Sequence, residues 1–154
     1  MTSLRAILFI LAVTLWRIVL LRFDQTDLFV DEAQYWLWSQ HPDFGYYSKP
    51  PMIAWVLSLT TWLSGSSEIF WLRLPGPVIH AATAIVLMAA SRHLTRDEIT
   101  GWVGATYVVA PAVGLSSYLF STDVVLLFFI AIGLWAYFGL TQRRSVGLAV
   151  IMGV

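Results

Sequence analysis

Long apolar stretches alternate with short polar ones along this chain, and the alternation by itself predicts most of the elements. Residues 4–21 are apolar except for Arg5, Thr14 and Arg17. As a helix they extend roughly 27 Å, enough to cross the hydrocarbon core of a bilayer. A cleaved signal peptide is the rival reading. No small-x-small site follows the apolar run, only Arg22-Phe23-Asp24, which favours an anchored helix. Residues 74–91, 102–119 and 123–140 repeat the pattern, with a kink expected at Pro111 in the third span. A fifth apolar run starts at 145 and is cut short at Val154, as expected of a piece of a longer protein.

Two segments break the rhythm. Residues 24–50 are too polar for the bilayer core. Within them Asp31-x-x-Gln34 fits a capping pattern that opens a short amphipathic helix to Gln40, and His41-Pro42 ends it. Pro51 to Leu63 is apolar but only about 20 Å long as a helix. With Trp55 and Trp62 it suits a helix lying in the interface plane, and a short spanning helix stays open as the alternative. Gly101 and Ala105 form a small-residue face for close helix packing. The fold class is therefore all-α: a polytopic membrane helix bundle with interfacial helices in one long first loop, residues 24–73.

Composition agrees. The chain is 58% hydrophobic and 12% charged, far from the balance of a soluble domain. Its formal net charge is zero, so no nucleic acid or other bulk polyanion is implied as a partner, and without cysteine it has neither disulfides nor thiolate metal sites. Charge changes the picture through its distribution. With a cytoplasmic N-terminus and an interfacial 51–63 helix, Arg5, Arg92, Arg96, Arg143 and Arg144 fall inside. Asp24, Asp27, Asp31, Glu32, Asp43, Lys49, Glu68 and Asp123 fall outside. That arrangement obeys the positive-inside rule, and a crossing 51–63 helix would violate it. It also puts Asp123 on the same membrane face as Asp31 and Glu32.

The stretch from Val30 to Trp55 is where acid, base and aromatic surface are densest. Asp31, Glu32 or Asp123 can act as a general base toward an acceptor hydroxyl. The adjacent Asp31 and Glu32 can instead hold a divalent cation. Lys49 can neutralise a leaving phosphate, and Trp36, Tyr46 and Tyr47 can stack on a sugar. Each has a plainer role available: Asp31 and Asp123 as helix caps, Lys49 as a headgroup-bound base, Trp36 as an interface-belt residue. Arg17 either snorkels to the interface or faces the bundle and meets an anionic group. His80, inside a span, reads as a hydrogen-bonded packing histidine.

These residues also carry a resemblance. Asp31-Glu32-Ala33-Gln34-Tyr35-Trp36-Leu37-Trp38-Ser39, Gly45-Tyr46-Tyr47 and Lys49-Pro50-Pro51-Met52-Ile53-Ala54-Trp55 resemble glycosyltransferase family 39, which includes protein O-mannosyltransferases and the bacterial aminoarabinose transferase acting on lipid A. Arg73-Leu74-Pro75 and Thr122-Asp123 are similar to the family's pattern as well. The resemblance implies a GT-C membrane fold with Asp31 as catalytic aspartate, Asp123 as second acid and Lys49 at the donor phosphate. It implies a polyprenyl-phosphate sugar donor and a lipid, protein or glycan acceptor. The expected setting is the bacterial inner membrane, with the site facing the periplasm among membrane lipids. A transport or assembly subunit with a structural acidic loop is the competing class. Its ionisable groups should gather near midplane.

Overall fold

The computed structural model describes residues 1–95 and 97–153, so Arg96 lies outside the described residues. The helices are α1 (Ser3–Arg22), α2 (Val30–Ser39), α3 (Met52–Ser64), α4 (Ile69–Arg73), α5 (Pro75–Ser91), α6 (Asp97–Val109), α7 (Pro111–Ser116), α8 (Thr122–Gln142) and α9 (Val146–Met152). No strand occurs among the described residues, and the fold is an all-α membrane-type bundle. Ser3–Arg22, Ile69–Ser91 and Thr122–Gln142 are long and apolar enough to cross a membrane.

Two elements depart from the sequence expectation. The span expected from 74 begins earlier, because α4 runs into α5 through a helical Leu74 whose N–H donates to the Phe70 carbonyl. The span expected over 102–119 is two helices in series. Ala110 is extended (ψ 135°), so α6 ends at Val109 and α7 restarts at Pro111. Proline at 111 disfavours the helical region for the residue before it and lacks the N–H that would continue the ladder. The expected kink is therefore a break.

The 13-residue α3 ends at Gly65, whose φ of 64° is the left-handed closure that glycine adopts without strain. α5 is the central helix, packing against α1, α6 and α8. One apolar cluster joins α1, α5 and α6 through Ala6, Ile10, Ala84, Met88 and Val108. A second lies under the long loop and joins α2, α3, α4 and α8 through Tyr35, Ile53, Leu57, Leu72, Phe120 and Val124. Leu8, Leu11, Leu15 and Trp16 of α1 and Leu126, Phe129 and Ile130 of α8 face outward, as lipid-facing positions should.

The bundle has two chemically different ends. At one, Gln142 pairs with His93, and Gly101 lies against the Met1 carbonyl; Arg5, Arg92, Arg143 and Arg144 belong to this end. At the other, Arg73 meets Asp24, and the Arg22 guanidinium lies 6.0 Å from the Phe70 ring centroid. The acidic loop and the start of α8 belong there.

Candidate active site

The first turn of α2 decides how the acids point. Phe29 is the N-cap, extended at φ −66° and ψ 159°, and its N–H donates to Glu32 Oε2 at 3.1 Å. The expected cap at Asp31 with Gln34 is displaced by two residues: Phe29 is the N-cap, and the Glu32 carboxylate rather than the Gln34 amide reaches back to it. Asp31 is inside the helix rather than capping it. Successive residues on a helix diverge by about 100°. With Glu32 turned inward, Asp31 is turned out, and it is exposed.

Glu32 is buried against Arg73 of α4. Arg73 Nε donates to Glu32 Oε1 at 3.0 Å, and a terminal nitrogen donates to Oε2 at 2.7 Å. The other terminal nitrogen donates to Asp24 Oδ2 at 2.9 Å and to the Thr26 hydroxyl at 2.8 Å. The Thr26 and Asp27 carbonyls accept further bonds from the same guanidinium at 3.2 and 3.0 Å. Arg73 is 1% exposed. Glu32 Oε1 also accepts the Phe120 N–H at 3.2 Å, which ties α2 to the residues leading into α8. Asp24 is in turn organised by Thr26, whose N–H and hydroxyl both donate to Oδ1. The Thr26 backbone N–H is the main reason its carboxyl lies below the ordinary aspartate range, with Arg73 adding to the effect.

A cleft of about 410 Å³ opens beside this network, lined by Phe29, Val30, Asp31, Tyr35, Leu119 and Ser121 among others. Asp31 therefore stands at a cavity shared by α2 and the α7–α8 connection. Pro50, next to Lys49, and Thr122, next to Asp123, line a common cavity of about 150 Å³. That cavity shares Met52, Val125 and Phe129 with an apolar groove of about 600 Å³ between α3, α5 and α8. Among the described residues, the side chains of Asp31, Asp123 and Lys49 carry no hydrogen bond or ion pair within the chain.

The aromatic candidates divide. The Tyr46 ring stacks on Trp38 at 4.7 Å, and its hydroxyl lies 3.0 Å from the Trp38 and His41 carbonyls while accepting the Asp43 N–H. Trp55 Nε1 donates to the Asp43 carbonyl at 2.9 Å, so the 41–46 loop is held from both sides. Trp36 is half-buried against the cluster beneath the loop. Tyr47 is fully exposed.

Arg17 does not line these cavities. It is 8% exposed, and its guanidinium donates to the Val108 carbonyl at 2.7 Å. Snorkelling to the interface is thereby excluded. The break at Ala110 explains the partner: Val108 lies in the last turn of α6, where carbonyls are unpaired and the dipole is negative. His80 is enclosed between the Tyr107 hydroxyl at 2.9 Å and the Ser116 hydroxyl at 2.7 Å, bridging α5 to both sides of that break.

The acid pair does not fit a two-carboxylate metal site. Both Glu32 oxygens are engaged by Arg73 and peptide N–H groups, and Asp31 points elsewhere. No cluster of three or more acids or histidines is suited to a metal among the described residues. The residue that the loop is built around, Arg73, was not singled out as functional from sequence. Its signal was present: a lone arginine in Ile69-Phe70-Trp71-Leu72-Arg73-Leu74-Pro75 needs a buried acid.

The structure is an all-helical membrane-type bundle with an acid free of intrachain partners on an end-facing cleft, and comparison with known proteins places it among the glycosyltransferases. The chain belongs to the dolichyl-phosphate-mannose-protein mannosyltransferase family, whose model matches residues 48–154. It is 63% identical over 154 residues to the lipid A galacturonosyltransferase RgtD of Rhizobium johnstonii, across all of this chain and 33% of that protein. The chain thus spans about a third of the length of this curated relative. No solved structure matches it.

Proposed function

We propose that this chain is the N-terminal part of an inner-membrane glycosyltransferase that moves a sugar from a polyprenyl-phosphate donor to lipid A at the periplasmic face. The similarity to a lipid A galacturonosyltransferase favours galacturonic acid as the sugar and a lipid as the acceptor. The observation that carries the mechanism is the divergence of the paired acids: Glu32 is neutralised by Arg73, and Asp31 is left free on the cleft.

Asp31 takes the proton from the acceptor hydroxyl as its oxygen attacks the anomeric carbon. The bond from that carbon to the phosphate oxygen breaks, and polyprenyl phosphate leaves with the electron pair. Lys49 stabilises the charge on the departing phosphate as a point cation. Asp123, at the start of α8, orients the acceptor from the other side. The acids gather at one end of the bundle rather than at midplane, which favours surface transfer over transport.

Asp31→Asn in the full-length protein tests the reading. Asp31 makes no bond that the amide would lose, so the variant should fold normally. Transfer from polyprenyl-phosphate-linked sugar to lipid A should fall on the order of a hundredfold to ten-thousandfold, as for loss of a general base. A wild-type rate in a purified, stable Asp31→Asn protein would refute the assignment.

A further inference from the structure

Glu32 stands next to the proposed base yet has no free valence for chemistry. A carboxylate offers about four acceptor sites. In Glu32 they meet Arg73 Nε and the Phe120 N–H on one oxygen, and an Arg73 terminal nitrogen and the Phe29 N–H on the other. The three partners come from α2, α4 and the strand of chain entering α8. Phe120 lies three residues before Asp123, and its side chain is buried in the same cluster as Tyr35 and Val124. Packing therefore reinforces the polar tie.

We propose that Glu32 and Arg73 form a positioning bracket, which sets Asp31 on α2 against Asp123 on α8 by holding the Phe120 amide. This rests on the proposed function, since the separation of the two acids matters for that reaction. Arg73 holds the Glu32 carboxylate in place through two hydrogen bonds, and its second arm secures Asp24 and the Thr26 carbonyl, fixing the chain that leads from α1 to α2. A lysine cannot replace the planar fork, because an ammonium is a point charge without two parallel donors. Glu32 and Arg73 are positioning residues, whereas Asp31 is the catalytic one.

The test uses the full-length protein in lipid nanodiscs, with amide hydrogen exchange read by mass spectrometry beside steady-state kinetics. Glu32→Gln is isosteric and should fold; Arg73→Lys keeps the charge. Each should speed exchange over residues 119–121 by roughly tenfold, and lower kcat by a similar factor with donor KM little changed. The double variant should be no worse than the more damaging single, since the two act as one unit. Asp31→Asn should lose kcat with exchange over 119–121 unchanged. Wild-type exchange in both bracket variants overturns the proposal. So does fast exchange with wild-type kcat. Lost kcat with unchanged exchange in Glu32→Gln overturns it too, because Glu32 would then act in the chemistry itself. If Asp31→Asn keeps its rate, the general-base reading fails, and the exchange measurements still decide the bracket.

Discussion

Two neighbouring carboxylates, Asp31 and Glu32, differ in surroundings because a helix turns about 100° between them. One is captured by a buried guanidinium and the other is left on a cleft. The Lys49 side chain has no hydrogen bond or ion pair among the described residues, and its proposed role needs charge rather than shape. Lys49→Ala should cut transfer, and Lys49→Arg should recover part of it, measured as turnover of the full-length enzyme with polyprenyl-phosphate-linked donor. A headgroup anchor would leave both variants near wild type. Asp24 makes a pH-dependent contribution to stability. Its carboxyl lies below the ordinary aspartate range because of Thr26 and Arg73, so its stabilisation is present above that range and is lost as pH falls through the lowered value. Thermal melting against pH should show Asp24→Asn less stable at neutral pH. Its decline on acidification below about pH 4 should be shallower than that of the wild type.

At the scale of elements, proline and glycine set how the helices meet. Pro111 splits a span in two, and the freed end of α6 becomes the acceptor for Arg17. Gly104 is a close approach of α6 to α5 and α1. A Cβ there would come within 2.6 Å of the Met88 side chain and 3.1 Å of Ile10. Gly104→Leu should therefore overpack the α1–α5–α6 crossing and cost about 1–3 kcal/mol, read as a lower melting temperature in detergent. Gly133 of α8 is the control, because a Cβ at that position meets no atom within 4 Å. Gly133→Ala should leave the melting temperature unchanged or raise it slightly, since alanine is the better helix former by about 1 kcal/mol.

The whole molecule has two unlike ends, with Arg5, Arg92, Arg143 and Arg144 at one and the acidic loop at the other, and this predicts its orientation. A single cysteine at Ser66 should react with an impermeant thiol reagent in intact cells, and one at Thr95 should not; the reverse pattern would invert the topology. Much of this was legible in the sequence. Apolar run lengths determined the helices near 3–22 and 122–142, because crossing a bilayer requires about 20 apolar residues whatever the packing. The shortness of the 52–64 helix and the segregation of charge were legible for the same reason. Also legible was the concentration of charged and aromatic residues between Val30 and Trp55, since charges are expensive in an apolar chain and stand out. The break at Ala110 was half visible, because proline signals disruption without saying whether the helix bends or stops. What only the tertiary structure decided was which charges pair. Glu32 and Arg73 are 41 positions apart, and Glu32 and Phe120 are 88 apart. No local periodicity connects them. Their meeting depends on α4 running into the head of α5 and α8 packing beneath the loop, and that long-range arrangement, rather than residue type, separates the buried acid from the free one.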